Sequence, residues 1–151
     1  MIYSSNMSMP VNVVIEERDL DGNLISRQER HNLVTLVARN KVRDMLYDGS
    51  TGGNISHVGV GTSSSAPTAG ATALATEVYR GAMTKKTVSA GSVTFNYYLP
   101  SGSANGNTLT EAGLFDASTQ GNLYARVAYS GVAKTVSNSI TYAWTVSIAT
   151  T

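Results

Sequence analysis

The feature that most restricts this chain is a strict period of two in its closing stretch. Ile140, Tyr142, Trp144, Val146 and Ile148 share one parity, against Thr141, Ala143, Thr145, Ser147 and Ala149. Alternation of this kind sends successive side chains to opposite faces of a β-strand, so one face is expected to bury the only tryptophan. The same period recurs near the start. Val11, Val13 and Ile15 alternate with Asn12, Val14 and Glu16, and Leu24, Ser26 and Gln28 alternate with Ile25, Arg27 and Glu29. Between these runs lies Asp19-Leu20-Asp21-Gly22-Asn23, where Asp-Gly supplies the positive φ of a tight turn. The pair reads as a β-hairpin.

Further short strands are expected in ISHVGVG, SVTFNYYL, TLTEAGLFD and NLYARVAYSGVAKTV, which are separated by Gly, Asn and Ser turns. TSSSAPTAGAT and PSGSANGN read as loops. ALATEVYRG is expected to hold a helical turn before AMTKKTVSA becomes extended. One segment breaks the pattern. Val34, Ala38, Val42 and Met45 recur at helical spacing, with Leu33, Val37 and Leu46 widening the stripe. Asn32 or Thr35 can cap its start and Gly49 sits where a helix stops. The spacing predicts an amphipathic helix over 33–48, with its apolar face covering the sheet rather than receiving a partner. The fold expected is mainly β, an antiparallel, jelly-roll-like β-sandwich of about seven to eight strands. Residues 1–9, polar and aperiodic, read as a flexible arm, and 10–151 as one domain.

Composition narrows the function. The 151 residues are 42% hydrophobic, enough for one core, and only 14% charged, where a soluble domain carries roughly a quarter. The surface is therefore finished with Ser, Thr, Asn and Gly, which suits close packing against neighbours. The net charge is +1 and the basic residues are dispersed, unlike the clustered face that phosphate neutralisation needs. No direct nucleic-acid contact is expected. With no cysteine, disulfides and thiolate metal sites are excluded. MIYSSNMSMP lacks the pattern of a signal peptide, and no apolar run reaches membrane-spanning length, so a soluble, membrane-free chain is expected.

A search for chemistry yields no convergent set. His31 and His57 have no metal-ligand spacing. The serines lie in polar loops rather than in a Gly-x-Ser-x-Gly elbow. Val58-Gly59-Val60-Gly61-Thr62 lacks the lysine of a phosphate loop, so its glycines are expected to allow close backbone approach. Asp19, Asp21 and Asn23 have calcium-loop spacing, but the glycine comes one place early and Arg30 stands where the bidentate glutamate belongs. This is turn chemistry. Glu16, Glu17 and Arg18 read as a solvated strand end, and Lys85 and Lys86 as a charged edge that discourages strand pairing. Tyr97, Tyr98, Tyr124, Tyr129, Tyr142 and Trp144 could furnish stacking platforms for a carbohydrate. Most lie within strands, where core or sheet-face roles are expected. No catalytic, cofactor-binding or metal residue is assigned, and an enzyme is not expected.

ISHVGVGTSSSAPTAGATALATEVYR followed by TLTEAGLFDASTQGNLYARVAYSGVAKTVSNSITYAWTVSIAT resembles a group of tailed-phage and prophage structural proteins. In that group a "GxGT…AP…G.TAL..E..R" segment precedes "LTE.GLFD…G.L.AR" and a closing aromatic strand. HNLVTLVARNKVRDML is similar to the "HNLV…R..L…L" stretch of the same proteins, so the likeness covers about residues 11–149. It implies a virion component made in the host bacterial cytoplasm, whose partners are copies of itself and other phage structural proteins. It carries over no catalytic residue and no cofactor. A tail fibre would continue into a long shaft, whereas this sequence stops at Thr151, which favours a small tail, neck or baseplate piece such as an adaptor or fibre anchor. A capsid decoration protein is the alternative. Assembly of this kind needs exposed strands and exchangeable segments. The contacts expected are Met1, Ile2 and Tyr3 of the arm and Ser63, Ser64, Ser65 and Pro67 of the 62–72 loop.

Overall fold

The structure, a computed structural model, describes residues 7–49 and 54–150. The alternating runs form the strands they predict. β1 (Met7–Ser8) is followed by the hairpin β2 (Val11–Asp19) and β3 (Leu24–Val34), whose turn has Gly22 at φ 84°. Asp19 Oδ1 accepts from the Asp21 and Asn23 amides, and Oδ2 from the Asn23 side chain. These bonds hold the Asp19 carboxyl below the usual aspartate range. All of this carboxylate's bonding serves the turn.

The helix α1 (Leu36–Asp48) comes next, then β4 (His57–Gly61), β5 (Glu77–Ala82), β6 (Lys85–Ser89), β7 (Ser92–Leu99), β8 (Asn107–Phe115), β9 (Leu123–Lys134), β10 (Asn138–Ser147) and β11 (Ala149–Thr150). β1 pairs β11, and the other nine strands form one antiparallel sheet in the order β5-β4-β8-β9-β3-β2-β10-β7-β6. The fold is mainly β with one helix, and short edge segments take the strand number above seven to eight. ALATEVYRG holds no helical turn: Glu77–Ala82 pairs with β4 in register His57↔Ala82 to Val60↔Tyr79. The β-forming Val78 and Tyr79 and a waiting strand edge outweigh the local preference of the alanines.

The strand order dictates the shape. β5 and β6 lie at opposite ends of the sheet, yet only Met83 and Thr84 separate them. In a flat sheet of nine strands those edges would stand about 38 Å apart. The link reaches at most about 11 Å. The sheet must therefore curl until its ends meet, and the link stitches both halves: Met83 N donates to Ser56 O at 2.7 Å and Thr84 N to Asn96 O at 2.9 Å. Gly81 of β5 faces Tyr97 of β7 so closely that a side chain there would overlap the phenol. The second seam is thinner. β3 meets β9 only at Leu33↔Arg126 and Val34↔Ala125, and beyond that point Gln28 bridges the diverging strands through Ser130 N and O.

Both halves close on one core. Val11, Val13 and Ile15 from β2 and Ile140, Tyr142 and Trp144 from β10 are buried, as their parity predicts, against Val58, Val60, Leu109, Leu114 and Val127. Tyr142 stacks between Tyr97 and Trp144 and shares a 2.7 Å hydrogen bond with the Tyr129 hydroxyl. Burial pushes the Tyr97, Tyr129 and Tyr142 hydroxyls well above the ordinary tyrosine value of 10.0. Above pH 10 the unfolded chain releases these protons and the folded chain keeps them, so stability falls as pH rises. In an alkaline titration the phenolate absorbance of these three is expected to appear only together with loss of the near-ultraviolet circular dichroism. Ionisation that precedes unfolding would contradict the burial.

The helix departs from expectation twice. It starts at Leu36, three residues late, because Leu33 and Val34 are taken by pairing with β9. Thr35 then caps the helix, donating its hydroxyl to Leu123 O at 2.6 Å and accepting from Ala38 N at 3.3 Å. Gly49 stops it at φ 73°. Its apolar stripe does not cover the sheet: only Ala38 is buried, while Met45, Leu46 and Tyr47 are exposed. With β3 already filling the seam, the helix touches the body mainly through β9 and leaves the stripe's outer part open.

Candidate functional site

The loop between β4 and β5, residues 62–76, contains four of the expected contacts, and its neck is built around a buried ion pair. Glu111 of β8 is fully buried and Arg126 of β9 nearly so, their side chains 2.8 Å apart. A charge in such surroundings persists only when every lone pair is used. Glu111 meets that demand. Oε1 accepts from Thr76 N at 2.7 Å and Ser63 N at 3.4 Å, and Oε2 accepts from Ala75 N at 3.1 Å and Arg126 Nε at 2.8 Å. Arg126 also donates to Ser65 Oγ at 3.2 Å, and Thr62 N to Thr76 O at 3.0 Å. One carboxylate thus holds both ends of the loop against the sheet.

The glycines of the GVG run serve the same clamp. A side chain on Gly61 would overlap the Thr76 carbonyl and press on Glu111 Cγ at 2.9 Å, and one on Gly59 would meet Phe115 at 2.8 Å. They are close-approach glycines. Gly61→Ala is expected to cost about 1–3 kcal/mol, as overpacking does. It should also speed proteolytic cleavage within 62–76. Urea unfolding and limited proteolysis together check this, and an unchanged loop would contradict it.

A second buttress adjoins the first. Arg80 of β5 pairs with Glu77 at 2.6 Å, lies 3.5 Å over the Phe115 ring, and donates to Ala117 O and Gln120 O. Asp116 accepts from Asn122 N and Nδ2 and from the Tyr124 hydroxyl. Burial alone would raise its carboxyl, but these bonds win and hold it below the usual aspartate range. Burial and the facing Asp116 charge push the Tyr124 hydroxyl up to about 12. The turn 117–121 is gripped from both sides. At the opposite end Lys134 is buried with its ammonium on Ser101 O, Asn105 Oδ1 and Thr135 O, which ties down the 101–105 loop. Burial holds that ammonium below the usual lysine value.

Ser63 and Ser65 turn their hydroxyls toward each other at 2.9 Å; Ser64 and Ser65 are exposed, Ser63 and Pro67 half-buried. Met1, Ile2 and Tyr3 lie outside the described residues. The loop reaches the helix, where Leu36 N donates to Ala69 O at 2.8 Å. Ala69 then forms one wall of an open groove of about 730 Å³ along α1, lined mainly by apolar side chains from β3 and the helix. His31 bonds Asn12 and His57 bonds Ser56, and among the described residues no group of three His, Asp or Glu could hold a metal. Of the aromatics weighed for carbohydrate, Tyr98 is exposed, while Tyr97, Tyr124, Tyr129, Tyr142 and Trp144 are buried. No described helix is long and apolar enough to cross a membrane.

Sequence reasoning missed Glu111, Arg126 and Lys134. The signal available was a lone charge within an otherwise apolar strand, in TLTEAGLF and LYARVAY. Comparison with protein-family models, with curated proteins and with solved structures finds no match to this chain.

Proposed function

We propose that this protein is a structural module of a tailed-bacteriophage virion, a small tail, neck or baseplate piece that acts as an adaptor or fibre anchor. It works through contacts with its own copies and with other phage structural proteins. The proposal assigns it no reaction, no cofactor, no nucleic-acid contact and no membrane. The observation that carries the reading is where the charged residues of the phage-like segments go. Glu77, Arg80, Glu111, Asp116 and Arg126 are spent on one another, on backbone groups and on a tyrosine hydroxyl. They fix two loops on the sheet and leave none of these charges free for chemistry. A pattern used in this way describes a rigid platform with a weakly charged surface. That is what a subunit packed among neighbours requires. Immunogold labelling of purified particles tests it: label at the tail, neck or baseplate is expected. Label over the head shell would make the chain a capsid cement protein, and unlabelled particles would overturn the reading.

A further inference from the structure

The groove along α1 and the tip of the β2–β3 hairpin are complementary in charge and in apolar content. The groove has Leu33, Val42, Leu46 and Tyr47 in its walls and Arg39 at its rim. Leu46 is 70% and Tyr47 88% exposed. Arg39 has no ion pair among the described residues, so the rim carries an uncompensated positive charge. Both polar atoms of the Asn32 side chain are buried beside the groove without a hydrogen-bond partner. An orphaned buried amide is a local cost that the surrounding packing must offset.

The hairpin tip presents the opposite character. Leu20 is 69% exposed at the turn, flanked by Asp19 and Asp21, and Leu24 and Ile25 are half-exposed behind it. The turn is already satisfied by Asp19 and Gly22, so the fold has no use for a leucine at that point. An apolar anchor between two carboxylates fits an apolar groove with a basic rim. Tip and groove lie at opposite ends of β3, whose eleven residues separate them by about 33 Å. No copy can fill its own groove.

We propose that the hairpin tip of one copy seats Leu20 in the α1 groove of the next, with Asp21 facing Arg39. Repeated head to tail the contact builds a ring or a filament, and made reciprocally it closes two copies into a two-fold pair. This deepens the assembly reading above by naming the partner and the surface.

Sedimentation velocity of the purified chain, over a concentration series into the millimolar range, tests it. Concentration-dependent oligomers that weaken with added salt are expected. Leu20→Asp and Leu46→Asp each replace a side chain exposed in the single chain, so both variants fold. Each is expected to weaken self-association by at least about tenfold. Mixed together they should form a one-to-one dimer and nothing larger, because each keeps the face that the other has lost. A wild-type chain that stays monomeric throughout, or a mixture that forms no dimer, would overturn the proposal. So would a monomer that takes up another virion protein stoichiometrically, which would give the groove to that partner. None of these outcomes bears on whether the protein is in the particle, which particle labelling decides separately.

Discussion

Glu111→Leu is expected to lower the unfolding free energy by about 3–5 kcal/mol, the cost of leaving a buried charge without its partner. Arg126 would remain 4% exposed with no carboxylate against it, and the amides of Ser63, Ala75 and Thr76 would lose their common acceptor. Arg126→Met should cost less. There the carboxylate keeps its three backbone donors, and hydrogen bonds of that kind stabilise the charged form. The double variant should lose less than the two single losses combined, because the second change removes the charge that the first had stranded. Urea unfolding gives the three values. Limited proteolysis adds a readout specific to the clamp: Glu111→Leu should open residues 62–76 to cleavage under conditions where the parent chain resists. A loss below about 1 kcal/mol, ordinary for a surface ion pair, would contradict the buried clamp.

The second large effect is expected at Trp144. It lies in the middle of β10, opposite Val13 of β2 and Phe95 of β7, with none of its surface exposed, and it stacks on Tyr142 with ring centroids 6.1 Å apart. Trp144→Ala empties the centre of one half of the curled sheet and should cost about 3–5 kcal/mol. Trp144→Phe should cost much less. Phenylalanine keeps an aromatic ring against Tyr142 and removes the indole N–H, which is buried with no partner. Urea unfolding of both variants checks the ranking. An alanine variant close to wild type in stability would show that the two halves do not pack on each other at this point.

The sheet was legible from sequence wherever one face is dry and the other wet. Val11, Val13 and Ile15 in β2 and Ile140, Tyr142 and Trp144 in β10 announced their parity because partner strands flank them on both sides and the core lies beneath. The Asp19–Asn23 turn and the Gly49 end of the helix were legible for a different reason: their conformations need particular residues locally, whereas Asn32 and Thr35 fit the start of the helix equally well in sequence. The ALATEVYRG segment misled because alanine and glutamate favour helix in isolation, while the free edge of β4 is visible only in three dimensions. The helix stripe misled in the opposite direction. Its spacing predicts an apolar face but cannot say whether the sheet or another chain receives that face. The clamp was the least legible part. Glu111 and Arg126 come together only because β8 and β9 pair with Gly113 opposite Arg126 and a bulge between Leu109 and Glu111.

Quantitative mass spectrometry of purified particles decides whether this chain is the virion part that we propose. The protein is expected in the particles at a fixed copy number well below that of the major capsid protein. Its absence from particles released by cells that make it would overturn the virion assignment.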